Sequence, residues 1–235
     1  MRLAREVQEG LLPAPGLLLP EVEVAGRFLP CWALGGDFYD YFPLGERVLG
    51  LYLGDVQGKG LGGALDALLV SGLLRGVHKA GARPADVLAF LNRRLSLRSG
   101  PGRFACLGYA LYDRAARRLQ FANAGLPFPW LVRGGRLEPI RLTGPPVGLF
   151  DSSEFDQTEV ALAPGDRLLF YTDGVTDSLR GPRSRQPEGE ERLAELVLGA
   201  ADSSAAALAE ALVRRLRRRR RAARDDMSFI VLRIR

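Results

Sequence analysis

Strand-forming runs in this chain come in groups, and that grouping narrows the fold more than any other feature of the sequence. Val22–Phe28, Asp37–Pro43 and Arg47–Val56 are rich in β-branched and aromatic residues and are bounded by Gly and Pro. Such runs read as consecutive strands of an antiparallel meander. The glycine-rich GKGLGG at 58–63 then leads into Ala64–Lys79, with Ala and Leu at helical spacing, and a second helix is expected from Pro84 to about Leu97. Strands return over Arg103–Tyr112, Arg118–Asn123, Trp130–Val132, Glu154–Leu162 and Arg167–Thr172, separated by turns such as AGLP and TGPP. Helices near 189–199 and 203–220 precede a last strand, Met227–Ile234, and the polar stretch at 180–191 reads as a loop. Strict βαβ alternation is missing, so the expected class is α+β with largely antiparallel sheets. At 235 residues and 47% apolar content the chain can enclose a full core as one domain.

The amino terminus is set apart from this body. Leu3, Val7, Leu11 and Leu12 recur at helical spacing with Arg2, Arg5, Glu6 and Glu9 on other faces, which predicts an amphipathic helix over residues 1–12 ended by Pro13. Alone it cannot bury that stripe, so it must pack on the body, on a second copy or on an upstream domain. Its charges and prolines exclude a secretory leader or a membrane span. The most apolar stretch, Ala64–Val77, contains Asp66 and Arg75 and reads as a buried helix of a soluble protein. Cys31 and Cys106 lie in separate apolar runs with no CxxC spacing, which argues against disulfides or zinc and for a reducing cytoplasm. The net charge of +6 comes from one place, because Arg214–Arg224 holds eight of the 33 basic residues. No aromatic residues interleave those arginines as stacking platforms for bases, so the run reads as a solvated helix face before it reads as a nucleic-acid site.

Aspartates carry the chemical signal. Asp37 follows Gly35-Gly36 at a strand start, Asp55 ends a strand before GKG, Asp173 follows LLFYT, and Asp225-Asp226 precede SFIVLRI. Carboxylates set against buried strand ends are costly unless they are paired or bound to a cation. Lys59 is the only nearby basic residue in these motifs, so the shared counter-charge points to hard divalent ions such as Mg²⁺ or Mn²⁺, which prefer oxygen ligands. Two such ions activate water and clamp a phosphoryl group without a protein nucleophile. Serine or cysteine nucleophiles lack a base, since the one histidine, His78, falls within a helix. No Walker loop or GxGxxG is present.

AREVQEGLLP, GGDFYD, LGDVQGKG, NAG with a following Pro, GPPVGLF, PGDRLLFYTDGVTDS and DDMSFIVLRI occur in this order over nearly the whole chain. Together they resemble the bacterial SpoIIE/RsbU branch of the PPM-type, type-2C-like, metal-dependent serine/threonine protein phosphatases. The resemblance implies two antiparallel sheets packed as a sandwich with helices outside. It places two Mg²⁺ or Mn²⁺ ions, or three, at one end between the sheets. Asp37, Asp55 and Asp173 would be the catalytic ligands, joined by the Val56 carbonyl and one residue of the Asp225/Asp226 pair, with Asp225 favoured. Residues 1–20 would be a linker helix and connector, and 21–235 the phosphatase domain. The implied substrate is a phosphorylated anti-sigma-factor antagonist of the STAS type, in a cytoplasmic partner-switching pathway that controls stress responses. Two departures stand out: Gln57 replaces the histidine found two residues after the Asp55 position in related eukaryotic enzymes, and AGL at 124–126 replaces AGH. The alternatives are a catalytically weak binding module of the same fold and, behind it, a two-metal nuclease using the arginine run.

Overall fold

The computed structural model describes residues 2–77, 82–96, 103–180, 187–200, 203–218 and 225–235. His78, residues 181–186 of the expected 180–191 loop and Arg219–Arg224 lie outside the described residues, while residues 187–191 of that expected loop open a helix instead. In chain order the elements are α1 (Arg2–Leu11), β1 (Gly16–Leu19), β2 (Val22–Leu29), β3 (Asp37–Leu44), β4 (Val48–Val56), α2 (Gly60–Val77), α3 (Pro84–Ser96), β5 (Ala105–Asp113) and β6 (Arg118–Ala124). They continue as β7 (Trp130–Arg133), β8 (Arg136–Pro139), β9 (Thr158–Ala161), β10 (Arg167–Tyr171), α4 (Asp173–Leu179), α5 (Pro187–Leu198), α6 (Ala205–Arg217) and β11 (Met227–Ile234).

The strands form two sheets, ordered β1-β2-β11-β10-β7-β8 and β3-β4-β5-β6-β9, and every pairing within them is antiparallel. The α+β sandwich expected from the sequence is therefore present. Near-continuous apolar runs mark strands covered on both faces, and β11 shows why. Its Ile230, Leu232 and Ile234 join Leu51, Phe121 and Phe170 in the core between the sheets. Its Phe229 and Val231 turn the other way, against Leu208 and Leu212 of α6 and Val175 of α4. A third apolar layer seats α2 and α3 on the second sheet through Val70, Leu74, Leu88 and Leu91. By length and composition α2 would suffice to cross a membrane, but its Ala67, Val70 and Leu74 face is packed into this layer.

The meander expected for the first three strands is not what forms. β2 joins the first sheet beside β11, whereas β3 pairs with β4 in the second. The two strands face each other across the sandwich, where Gly26 leaves room for the Tyr39 ring: a Cβ at Gly26 would lie 2.2 Å from that ring. Residues 30–36 carry the chain from one sheet to the other. Helix α1 docks through Gln8, whose Nε2 donates to the Gly35 carbonyl at 2.7 Å and whose Oε1 accepts from the Gly35 N–H at 3.2 Å. Arg75 of α2 donates to the Leu11 carbonyl at 2.6 Å and also pairs with Asp40. Leu11 and Leu12 are half-buried against the body, while Leu3 and Val7 stay exposed. The segment after α1 contributes the edge strand β1.

Candidate metal centre

Four chain segments far apart in sequence meet at one end of the sandwich. Asp37 opens β3 and is the cross-strand partner of Asp55 near the end of β4. Asp173 is the first residue of α4, and Asp225 and Asp226 immediately precede β11. Each lies where the ladder stops and the backbone turns, at the edge of the apolar core. The backbone approaches closely here: a Cβ at Gly36 would lie 3.1 Å from the Val56 carbonyl oxygen, and one at Gly174 would lie 1.8 Å from the Asp226 carbonyl oxygen.

Electrostatics shows how closely the carboxylates are grouped. Asp37 is 2% exposed, and its carboxyl is held well above the usual range, first by burial and then by the charges of Asp55 and Asp226. Asp55 is pushed up to about 7 by burial, then by Asp173, Asp225 and Asp226. Asp173 is raised by burial, Asp177 and Asp225. The Thr172 hydroxyl opposes this at Asp37 by donating to Oδ2 at 2.9 Å while accepting the Ser228 N–H at 3.0 Å.

The Asp225/Asp226 pair divides its work. Asp226 is buried and accepts the backbone N–H groups of Cys31 and Gly36, each at 2.7 Å. Asp225 is half-buried, meets Lys59 Nζ at 3.2 Å, and adds its charge to those on Asp55 and Asp173. Sequence reasoning missed the anchoring roles of Thr172, Asp226 and Gln8; the Thr immediately before Asp173 was the one local signal for the first.

Asp37, Asp55, Asp173, Asp225 and the Val56 carbonyl offer only hard oxygen donors, which fits Mg²⁺ or Mn²⁺ rather than a softer metal. Among the described residues, no three His, Cys, Asp or Glu side chains form a ready-made cage. The acids line an open end, an arrangement suited to ions that keep several waters in their shell. Cys106, the cross-strand partner of Asp55, is no rival: burial, Asp55 and Asp173 push its thiol up to about 12, so it stays protonated. Neither cysteine forms a disulfide.

A cleft of about 780 Å³ opens beside Asp55 and Asp173. One wall is the turn after β6, where Asn123 bonds the Leu126 N–H and the Leu126 and Leu142 carbonyls, fixing the AGLP segment.

The sequence pattern of the Stage II sporulation protein E (SpoIIE) family matches residues 45–235. The chain belongs to the SpoIIE family. The match begins after Asp37, so that residue's place beside Asp55 rests on strand register. Among SpoIIE-related proteins, phosphoserine phosphatase RsbP of Bacillus subtilis is 31% identical over 182 residues, covering 75% of this chain and 45% of RsbP. The chain thus spans less than half of that relative. The RsbU and RsbW domains of Rv1364c from Mycobacterium tuberculosis are similar at 26% identity with a TM-score of 0.76, over 95% of this chain and 62% of that one. The SiaA-PP2C domain of Pseudomonas aeruginosa superposes with a TM-score of 0.83 at 24% identity, covering 98% and 94% of the two chains. The fold is that of the PP2C phosphatase domains.

Proposed function

We propose that this SpoIIE-family chain hydrolyses phosphoserine or phosphothreonine in a protein, using Mg²⁺ or Mn²⁺ held by Asp37, Asp55, Asp173, Asp225 and the Val56 carbonyl. The observation that carries the reading is the convergence of these acids from four segments, with Asp37 raised by burial and then by Asp55 and Asp226, and Asp55 by burial and then by Asp173, Asp225 and Asp226. Such a cluster is held together only with a shared cation or with protons. Bound there, the ions would supply Lewis acidity toward phosphoryl oxygens and a lowered pKa for the attacking water.

The chain's own residues would do the rest. The β3–β4 ladder fixes the spacing of Asp37 and Asp55, and the Thr172 hydroxyl fixes the rotamer of Asp37. Asp226 spends both carboxylate oxygens on the 31–36 crossover, which keeps Gly36 and the Val56 carbonyl in place. Lys59 brings a positive charge to Asp225 at the exposed rim, where it offsets the charge of an arriving phosphoryl group.

The substrate we infer is a phosphorylated anti-sigma-factor antagonist of the STAS type, in a cytoplasmic partner-switching pathway. The likeness to RsbP and to the RsbU domain of Rv1364c supports this. Residues 21–235 would form the phosphatase domain and residues 1–20 the connector, with a sensor protein or a second copy covering residues 1–12. The exposed Leu3 and Val7 beside the docked Gln8 support that assignment.

The test is phosphate release from p-nitrophenyl phosphate and from a phosphorylated antagonist protein with Mn²⁺, for the wild type, Asp55→Ala and Asp173→Ala. Turnover lost in both variants is expected. Wild-type protein that binds Mn²⁺ normally and releases no phosphate from either substrate would leave a partner-binding module of the same fold.

A further inference from the structure

Side chains of both charges line the cleft beside the aspartates. Arg141 is exposed, with its guanidinium carbon 5.8 Å from the centroid of the half-buried Phe128 ring. The exposed Glu190 and Glu191, at the start of α5, line the same cleft. All three are described residues, and no ion pair joins Arg141 to either glutamate. The buried Trp130 and Tyr171 add an aromatic surface to its lining, with ring centroids 5.1 Å apart.

A phosphoryl group alone does not need a space of about 780 Å³, a size that suits a ligand of several side chains. The cleft begins at Asp55 and Asp173, so whatever occupies it is joined to the group those acids receive. A lining that combines aromatic surface with charges of both signs fits a peptide carrying charged side chains. Arg141 is suited to one of them. A guanidinium laid on an aromatic face is held by the ring quadrupole, keeps its planar fork open to solvent, and matches a carboxylate with two parallel N–H bonds.

We propose that this cleft receives the polypeptide flanking the phosphorylated residue, with Arg141 on Phe128 taking an acidic side chain and Glu190 and Glu191 a basic one. The inference rests on the phosphatase reading above and adds to it a specificity-determining residue. It defines the substrate class as phosphopeptides with a carboxylate at a fixed distance from the phosphorylated serine or threonine.

The experiment uses a set of phosphoserine peptides in which one Glu is moved through the flanking positions, each with Gln and Lys counterparts. Turnover with Mn²⁺ is measured for the wild type, Arg141→Gln and Arg141→Glu. At one position the wild type should favour Glu over Gln through KM by roughly tenfold, the factor that 1.4 kcal/mol of discrimination gives. Arg141→Gln should erase that preference, and Arg141→Glu should turn it toward Lys at the same position. No preference in the wild type, or a preference that persists unchanged in Arg141→Gln, would overturn the proposal. Should the wild type release phosphate from none of p-nitrophenyl phosphate, the phosphorylated antagonist protein and the peptides, the phosphatase reading fails, while fluorescence anisotropy with the same peptides still reads the subsite. Tighter binding of the Glu peptide that is lost in Arg141→Gln supports it, and equal binding of the Glu and Gln peptides sinks it.

Discussion

Asp37 and Asp55 stand opposite each other on the antiparallel pair β3–β4, so the ladder holds side by side two carboxylates that repel. The fold itself therefore stores the demand for a cation or a proton at this end of the sandwich.

Metal-free protein should be more stable at pH 5 than at pH 7.5. The folded pKa of Asp55 is about 7, above its ordinary 3.8, so the native state binds the proton more tightly than the unfolded chain. The stability linked to that proton is full below about pH 4 and is lost as pH rises through about 7. The loss is on the order of 2 kcal/mol. Thermal melts in EDTA across this range measure it, and saturating Mn²⁺ should flatten the profile. A metal-free Tm that does not rise on acidification contradicts the expectation.

Asp225→Ala and Asp226→Ala should behave differently despite being neighbours. Asp226 satisfies two backbone N–H groups of the crossover, and orphaning buried donors costs about 1–3 kcal/mol each. Asp226→Ala should therefore lower the Tm by several degrees. Asp225→Ala, at a half-exposed position, should leave the Tm of the metal-free protein nearly unchanged and weaken Mn²⁺ binding at least tenfold by calorimetry. Equal melting losses in the two variants would refute this division.

Thr172→Val should reduce both turnover and stability. The hydroxyl both donates to Asp37 and accepts the Ser228 N–H, and its loss should cost about 1–3 kcal/mol. With Asp37 released, turnover should fall roughly tenfold, since small displacements of a reacting constellation are expensive. Thr172→Ser, which keeps the hydroxyl, should recover most of it.

Gln8→Ala should loosen α1 and the site together. It removes two hydrogen bonds to Gly35, which lies two residues before Asp37. Hydrogen exchange should speed up over residues 2–11 and 31–37, with Mn²⁺ affinity falling several-fold. Faster exchange in α1 with unchanged metal affinity would show that the helix and the centre are independent.

The β-rich runs, the last strand and the four acidic segments were legible because they depend on local composition and on the cost of placing acids beside a core. The sheet assignment of β2 was not, because the length of the 30–36 connection suits a turn within one sheet or a crossing to another. What decides it is the fit of Tyr39 over Gly26, a contact that no local pattern carries. Helix α4 was hidden in TDGVTDS, whose Asp, Gly and Thr are weak helix formers. It forms because Val175 and Leu179 are drawn into the apolar layer under α6. Thr172, at its N-cap, makes no side-chain cap bond and gives its hydroxyl to Asp37 instead. The choice between Asp225 and Asp226 turns on which carboxylate meets the Cys31 and Gly36 N–H groups, and that is fixed only when the chain closes.

The central place of β11 has a consequence for how the molecule comes into being. It lies between β2 and β10, so β2, made about two hundred residues earlier, waits with one edge open until the last strand inserts. Pairings of such long sequence separation form slowly, and open edges invite aggregation in the meantime. Asp225 and Asp226 arrive with that same strand. A nascent or partly unfolded chain therefore has no complete acid cluster, and hydrolysis by this site would be confined to molecules whose first sheet is already closed.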